Sequence, residues 1–458
     1  MPSVGTASTA RVMPRVIFIF PCIGRKPGQP YVRSWQMQPL AIAQLAALTP
    51  PEWERVFYDD RMELVPAGEP ADLCAISIET YTARRGYQIA AEFRKRGVPV
   101  VFGGYHATAC PDEALLHGDA VCVGEAEGVW PRILEDAGAG RMRGIYQTPR
   151  SDTFPRVAPD RSIFAGKKYL PLQLLETGRG CPHHCEFCAI TSFHGGRYRR
   201  RNVDDIVEEL RGMSGRTVFF VDDNITADRA GLRELCEKII PLNVTWISQA
   251  SIDVAHDEEL PRLLARSGCA GLLIGFESLD PVRLKAMHKH TNKAGDYAAA
   301  LSRLHRAGIA VYGTFVFGYP GDSVATFDAA VAFARRNRMF LAAFNHLVPF
   351  PGTELHATAT GDGRLPSGAW WLDPEFQFGR TPLITEPLDA GALVGECVRA
   401  RRKFYSWRGI AERFANIRAN GRTARRALMF WTLNAMLRRE VGQKAGIPLG
   451  LPDESPEA

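Results

Sequence analysis

The chemistry that the sequence offers most directly rests on three cysteines. Cys181, Cys185 and Cys188 fall within eight residues, in the run Gly178-Arg179-Gly180-Cys181-Pro182-His183-His184-Cys185-Glu186-Phe187-Cys188. Three thiolates this close repel one another unless a metal or a cluster neutralises them. An iron–sulfur cluster is the common soft-ligand solution. A structural zinc site is the alternative, since such sites close with four ligands and His183, His184 or His194 offers a fourth. The remaining cysteines, at 22, 74, 110, 122, 236, 269 and 397, are scattered, and most sit in apolar strand or helix contexts. They read as small buried hydrophobes. Cys22 is the one to follow, because it ends the first strand of the chain.

The elements around these residues follow from apolar periodicity. Strands are expected near 172–177, 217–221, 244–249, 271–276, 310–317 and 342–348, with helical patterns at 204–212, 230–240, 257–267 and 297–307. Such strand–helix repeats over about 180 residues predict a barrel or partial barrel, whose ligands sit at the carboxyl ends of its strands. The cysteine run lies there, just after the first strand. Upstream, short apolar strands at 15–20, 55–58, 72–78, 98–102 and 120–123 alternate with helices at 40–47 and 82–96. Gly103, Gly104 and Gly124 close two of these strands. That pattern predicts a doubly wound parallel sheet, again with ligands beyond the carboxyl ends. Mixed polarity and prolines from 141 to 170 read as a linker. From 355 the pattern loosens, and from about 388 it is helical. The expected division is a domain over 1–147, a linker over 148–170, a barrel over 171–355 and a mainly helical region over 356–458.

At the cysteine loop the chain resembles the radical S-adenosylmethionine (SAM) superfamily, whose defining motif is C-x₃-C-x-aromatic-C. Phe187 supplies the aromatic position before Cys188. The resemblance implies a [4Fe–4S] cluster on Cys181, Cys185 and Cys188, with one iron left open for the amino and carboxylate groups of SAM. It implies an electron donor such as flavodoxin or ferredoxin, and a radical reaction on a small-molecule substrate. It also extends along the barrel. Val221-Asp222-Asp223-Asn224 ends the second strand, where the superfamily holds the SAM amino end. Ser248-Gln249 ends the third. Gly275-Phe276-Glu277-Ser278 ends the fourth, a ribose-facing position. Phe317-Gly318-Tyr319-Pro320-Gly321 ends the fifth, on the adenine side. The cofactor-facing residues implied are therefore Phe187, Asp222, Asp223, Gln249, Glu277 and Gly318. For each residue taken alone, a helix cap or a turn is the competing role.

Residues 12 to about 147 resemble the cobalamin-binding type of domain that precedes the barrel in one large radical SAM subgroup. The stretches that carry the likeness are Asp72–Thr80, Val100–Thr108 and Asp119–Glu127. Ser77, Gly103 and Gly104 match positions that line the nucleotide tail of cobalamin. The pattern D-x-H-x-x-G, which supplies a histidine to cobalt in other cobalamin domains, reads Asp59-Asp60-Arg61-Met62-Glu63-Leu64 here, without a histidine. Any cobalamin is therefore expected to lack a histidine ligand from this loop. His106, beside the double glycine, reads as a partly exposed loop residue. The implied fold is α/β: an N-terminal doubly wound Rossmann-like domain, a central partial (β/α) barrel and a helical C-terminal region. The implied reaction is cobalamin-dependent C-methylation if cobalamin binds, and cyclisation or oxidation without it. A non-catalytic cobalamin or SAM sensor and a zinc-stapled interaction protein are the competing classes.

Composition narrows the setting. With 46% hydrophobic and 23% charged residues, the 458-residue chain matches a folded, multidomain protein rather than a disordered one. No apolar run approaches the roughly 20 residues of a membrane-spanning helix. A cytoplasmic location with reduced thiols is expected. The net charge of +6 is uneven: residues 399–444 carry +11, leaving −5 for the rest. Within Arg422–Val441, arginines bracket an apolar stretch containing Phe430 and Trp431. This suits either a helix packed on the barrel or one lying on an anionic membrane surface, such as the inner membrane, with an apolar or lipid-like substrate in the latter case. No nucleic-acid module accompanies the charge, so nucleic acid is not an expected partner.

Overall fold

The computed structural model describes residues 13–452 apart from 27, 29–35, 67, 150, 152, 214 and 216. Its first sheet is built from β1 (Arg15–Phe20), β2 (Glu54–Asp59), β3 (Leu73–Ser77), β4 (Val100–Gly103), β5 (Ala120–Val123) and β6 (Gly144–Gln147). The order is β2-β1-β3-β4-β5-β6 and every pairing is parallel. Val16 to Ile19 have no exposed surface, as expected of a central strand covered on both faces. The strand order reverses between β1 and β3, which opens a crevice at their carboxyl ends. The linker expected from 141 is corrected here. Gly144–Gln147 pairs with β5 as the edge strand, and its mixed polarity reflects an edge with one solvated side.

The small strands β7 (Gln173–Leu175), β8 (Gly178–Gly180) and β9 (Tyr198–Arg200) come next. β8 and β9 pair antiparallel and close the cysteine loop, a ribbon that periodicity did not reveal. β10 (Thr217–Phe220), β11 (Thr245–Ala250), β12 (Cys269–Glu277), β13 (Ala310–Phe317) and β14 (Leu341–His346) complete a second parallel sheet in the order β14-β13-β12-β11-β10-β7. Sequential strands thus lie side by side and the sheet is open between β7 and β14, a partial barrel. Side-chain caps start its outer helices. Asn202 accepts from the backbone of Asp204 and Asp205, and Asp228 from Gly231.

The C-terminal helices Ala390–Phe404, Trp407–Phe414 and Ala424–Glu440 pack on the open edge and the amino-terminal end of this barrel. Arg413 is their centre. Its guanidinium has no exposed surface and donates to the carbonyls of Gly409, Met339, Phe340 and Phe404 and to Asn434 Oδ1. It also lies 3.8 Å over the Phe404 ring. The chain then returns to the first sheet: the Gly450 amide donates to the Ile23 carbonyl, and Arg84 and Gln88 bind the carbonyls of Leu449 and Leu451. No helix among the described residues is long and apolar enough to cross a membrane.

Candidate active site

The loop between β8 and β9 is held from beneath by the end of β10. The Thr177 amide and hydroxyl both donate to the Asp222 carboxylate, the amide at 2.7 Å. The Gly180 amide donates to Asp223 Oδ2 at 2.8 Å. Gly180 has φ +84°, and a Cβ there would lie 2.0 Å from the Arg197 carbonyl, so only glycine lets the ribbon close. Asp222 is fully buried with both oxygens occupied. It is therefore a positioning residue beneath the loop, not the ligand-facing group expected of it. Asp223 is partly exposed and faces the space beside the loop, its carboxyl pushed up to about 6 by burial.

Cys181, Cys185 and Cys188 are free thiols within electrostatic reach of one another. Burial, aided by the neighbouring sulfurs, pushes the Cys181 thiol up and that of Cys185 to about 11. Such thiols ionise at neutral pH only when a cation takes their charge, which is the chemistry of a metal or cluster donor set. Asn224 Nδ2 lies 3.7 Å from Cys181 Sγ. Across from the thiols, Glu277 ends β12 with φ +60° and pairs with Lys289 at 3.2 Å. A Cβ on Gly275 would lie 2.0 Å from Glu277 Oε1, so this glycine makes room for the carboxylate. Burial would lower the Lys289 pKa, but Glu277 and the thiols of Cys185 and Cys188 outweigh it and hold the ammonium charged. Gln249 donates to the Asp222 carbonyl at 3.4 Å. Gly318, at φ +116°, gives its amide to Asp322. Next to it, the Tyr319 hydroxyl bonds Glu186 at 2.6 Å and ties β13 to the cysteine loop.

Two cavities flank the loop. One, of about 330 Å³, lies at the carboxyl ends of the first sheet, between that sheet and the barrel. Ser77, Gly103, Gly104 and Gly124 line one side, with Phe193, His194 and Asp223 on the other. It adjoins a further space of about 280 Å³ that shares Gly124, Glu125, Phe193 and His194. Gly104 has φ +97° and no room for a Cβ, which would meet the Ile78 carbonyl at 2.7 Å. Gly124 faces open space. The glycines thus leave the strand ends of this crevice free of side chains, so that a ligand can approach the backbone. The second cavity, about 530 Å³, opens on the other side, with Phe187 in its wall. Its lining is mainly apolar and aromatic, and it runs from β13 and β14 to residues 437–445.

The structure thus brings Phe187, Asp223, Gln249 and Glu277 to the cysteine end of the barrel, and Ser77, Gly103 and Gly104 to the neighbouring crevice. Cys22 lies outside both cavities, buried with its amide on Asp60. Arg61 turns away from the crevice to pair with Asp59 at 2.6 Å, and Arg85 pairs with Asp60. His106 is corrected: it is fully buried in a short helix, its ring between Thr80 and Glu113. Trp371, from the C-terminal region, donates to the same Glu113. Lys289 and Thr177 were missed, because only the fold brings them to the cysteine loop; Lys289 lies in a loop with no informative spacing.

Comparison with known proteins agrees with this geometry. The family model described as the Radical SAM superfamily matches residues 175–334. Bacteriochlorophyllide d C-12(1)-methyltransferase of Chlorobaculum tepidum is 34% identical over 328 residues, covering 69% of this chain and 72% of the relative. Bacteriochlorophyllide d C-8(2)-methyltransferase of the same organism is 29% identical, covering 72% and 78%. The radical SAM methyltransferase TsrM of Kitasatospora setae, solved with cobalamin and a [4Fe–4S] cluster bound, shares the fold at TM-score 0.62 and 16% identity, over 88% of this chain and 89% of that one.

Proposed function

This chain belongs to the radical SAM superfamily, a family of enzymes that use a [4Fe–4S] cluster and SAM, and we propose that it is a cobalamin-dependent C-methyltransferase acting on an apolar small molecule. One observation carries the reading: the cysteine loop is a shared wall. Phe193 and His194 at its far end face the glycine-lined crevice, while Phe187 faces the apolar chamber. Cys181, Cys185 and Cys188 would hold the cluster, and Ser77, Gly103 and Gly104 would line the corrinoid site. When bound, these groups supply the electron that cleaves SAM and the carrier that delivers its methyl group. The protein's part is placement. Asp222 and Asp223 fix the loop, Lys289 offsets its negative charge, and Glu277, Gln249 and Asp223 offer polar atoms to SAM beside it. The electron comes from a small redox protein such as flavodoxin or ferredoxin.

Anaerobic reconstitution of the full chain with iron, sulfide and hydroxocobalamin tests this. Bound iron, bound cobalt and SAM cleavage are expected in the wild type. Cys181→Ala is expected to lose the iron and the cleavage, and Cys236→Ala, in the barrel core, to keep both. Cleavage by Cys181→Ala would overturn the cluster assignment. A protein that cleaves SAM but retains no cobalt would favour cyclisation or oxidation instead. The Co(II) form should show no splitting from a protein imidazole in electron paramagnetic resonance, since the loop offers Arg61 or Met62 in place of a histidine and His194 lies between Glu125 and Asp223.

A membrane contact is a second part of the proposal. The helix Ala424–Glu440 buries Phe430 and Asn434 and turns Leu428, Met429 and Trp431 outward. Arg426 is not available to lipid, because it binds the carbonyls of Gly308 and Ala270 at the amino-terminal ends of two barrel strands. The outward face suits an anionic bilayer surface. Flotation with anionic vesicles should weaken in high salt and be lost in Leu428→Glu/Trp431→Glu; equal flotation of that variant would exclude the contact.

A further inference from the structure

The apolar chamber contains two cations that the reaction described above does not use. Arg401 projects into it from the helix Ala390–Phe404, and Lys444 from the segment that follows the last helix. Arg402 on the same helix as Arg401 is exposed to solvent, and two further cations there are neutralised: Arg399 pairs with Glu396 and Asp328, and Lys403 with Asp328. Arg401 instead donates to a neutral acceptor, Asn345 Oδ1, at 2.9 Å. Among the described residues, no carboxylate lies within ion-pair distance of Arg401 or Lys444. Burial lowers the Lys444 pKa and nearby Arg61 adds to the effect, while Glu440, which lines the same chamber, opposes it from beyond ion-pair distance. Around these cations stand six aromatic rings, those of Tyr81, Phe187, Tyr312, Phe350, Phe378 and Tyr405. A half-buried guanidinium with only a neutral partner, as Arg401 has, is costly unless a ligand supplies the counter-charge.

We propose that this chamber binds a flat, mainly apolar substrate that carries a carboxylate, with Arg401 and Lys444 holding the acid and the aromatic walls holding the ring system. The cations sit on β14-side and C-terminal elements, while Phe187 marks the end beside the cysteines. A substrate anchored by its acid at the former directs its apolar body towards the latter. Arg401 suits the role because its planar fork can bind both oxygens of a carboxylate while one Nη stays on Asn345. The proposal rests on the reading that the chamber's Phe187 end is the reacting end, and it specifies which molecules reach it.

Pyrenebutyrate and its uncharged methyl ester are suitable probes, titrated by fluorescence against the reconstituted full chain. The wild type should bind the acid at least about tenfold more tightly than the ester, the difference that charge-assisted hydrogen bonds provide. Arg401→Gln and Lys444→Gln should each reduce that preference, and the double variant should remove it while binding the ester as before. Arg401→Lys should restore part of it. The cluster's visible absorption in each variant checks that the protein is folded. Wild type that binds acid no better than ester, or a double variant that keeps the preference, would overturn the proposal. The two readings fail separately: SAM cleavage by Cys181→Ala would sink the cluster assignment, whereas the acid–ester comparison needs no turnover.

Discussion

At the scale of residues, the site is a balance of buried charge. Burial, with the neighbouring sulfurs, opposes ionisation of the Cys181 and Cys185 thiols. Lys289 interacts electrostatically with both Cys185 and Cys188, and Glu277 holds it there. Removing that charge should make the cluster harder to reduce, since a nearby positive charge stabilises the more negative state. Lys289→Met is expected to lower the cluster's reduction potential, by on the order of tens of millivolts. Spectroelectrochemical titration reads this directly. An unchanged potential would show that Lys289 serves only to anchor Glu277. Asp222 shows how a chemically plausible residue can serve differently: its carboxylate is consumed by Thr177, so its contribution is the shape of the loop.

At the scale of elements, the C-terminal helices are joined to the barrel by buried polar groups. His305 is one of them. It sits on the helix Tyr297–Ala307, its Nδ1 faces Asn416, and burial, with Arg426 nearby, pushes its pKa down to about 4. The unfolded chain takes up a proton near pH 6.5 and the folded one does not until about pH 4. Stability from this group is therefore present above pH 6.5 and lost as pH falls towards 4. Between pH 7 and pH 5 the loss should be about 2 kcal/mol. His346, also lowered to about 4 by burial, adds a loss of the same sign. Urea melts at the two pH values should show it, and His305→Gln should remove the His305 share. A slope unchanged by that substitution would mean that His305 is solvated before the chain unfolds.

At the scale of the whole molecule, the two sheets are joined across the crevice by ion pairs. Arg179, on the cysteine-side ribbon, pairs with Glu127 at 2.6 Å and Glu176 at 2.7 Å, and Glu125 is 3.6 Å away. Arg199 binds the same Glu125. On the far side, the buried network of His106, Glu113 and Trp371 joins the first sheet to the C-terminal region. Arg179→Gln leaves Glu127 and Glu176 without their shared cation and with little solvent, a change worth about 3–5 kcal/mol for a buried pair. It should lower the melting temperature and speed proteolysis of the segment between β6 and β7. If cleavage there is unchanged, the remaining links, such as Arg199 to Glu125 and Trp371 to Glu113, suffice to hold the sheets together.

The sequence by itself determined what depends on local order. The spacing of Cys181, Cys185 and Cys188, the apolar runs that became β1 and β13, and Gly103-Gly104 after β4 were legible, because a motif loop and a buried parallel strand are written in adjacent residues. The edge strand Gly144–Gln147 was not, since one solvated face breaks the apolar run. Tertiary structure alone decided which side chains meet. Lys289 is about a hundred residues from the cysteines and Arg401 about two hundred, and no periodicity links such distances. It also decided that Asp222 is spent on Thr177, that His106 is enclosed and that Arg426 caps barrel strands. Burial and hydrogen-bond partners are properties of the packed chain, and an isolated residue carries no record of them.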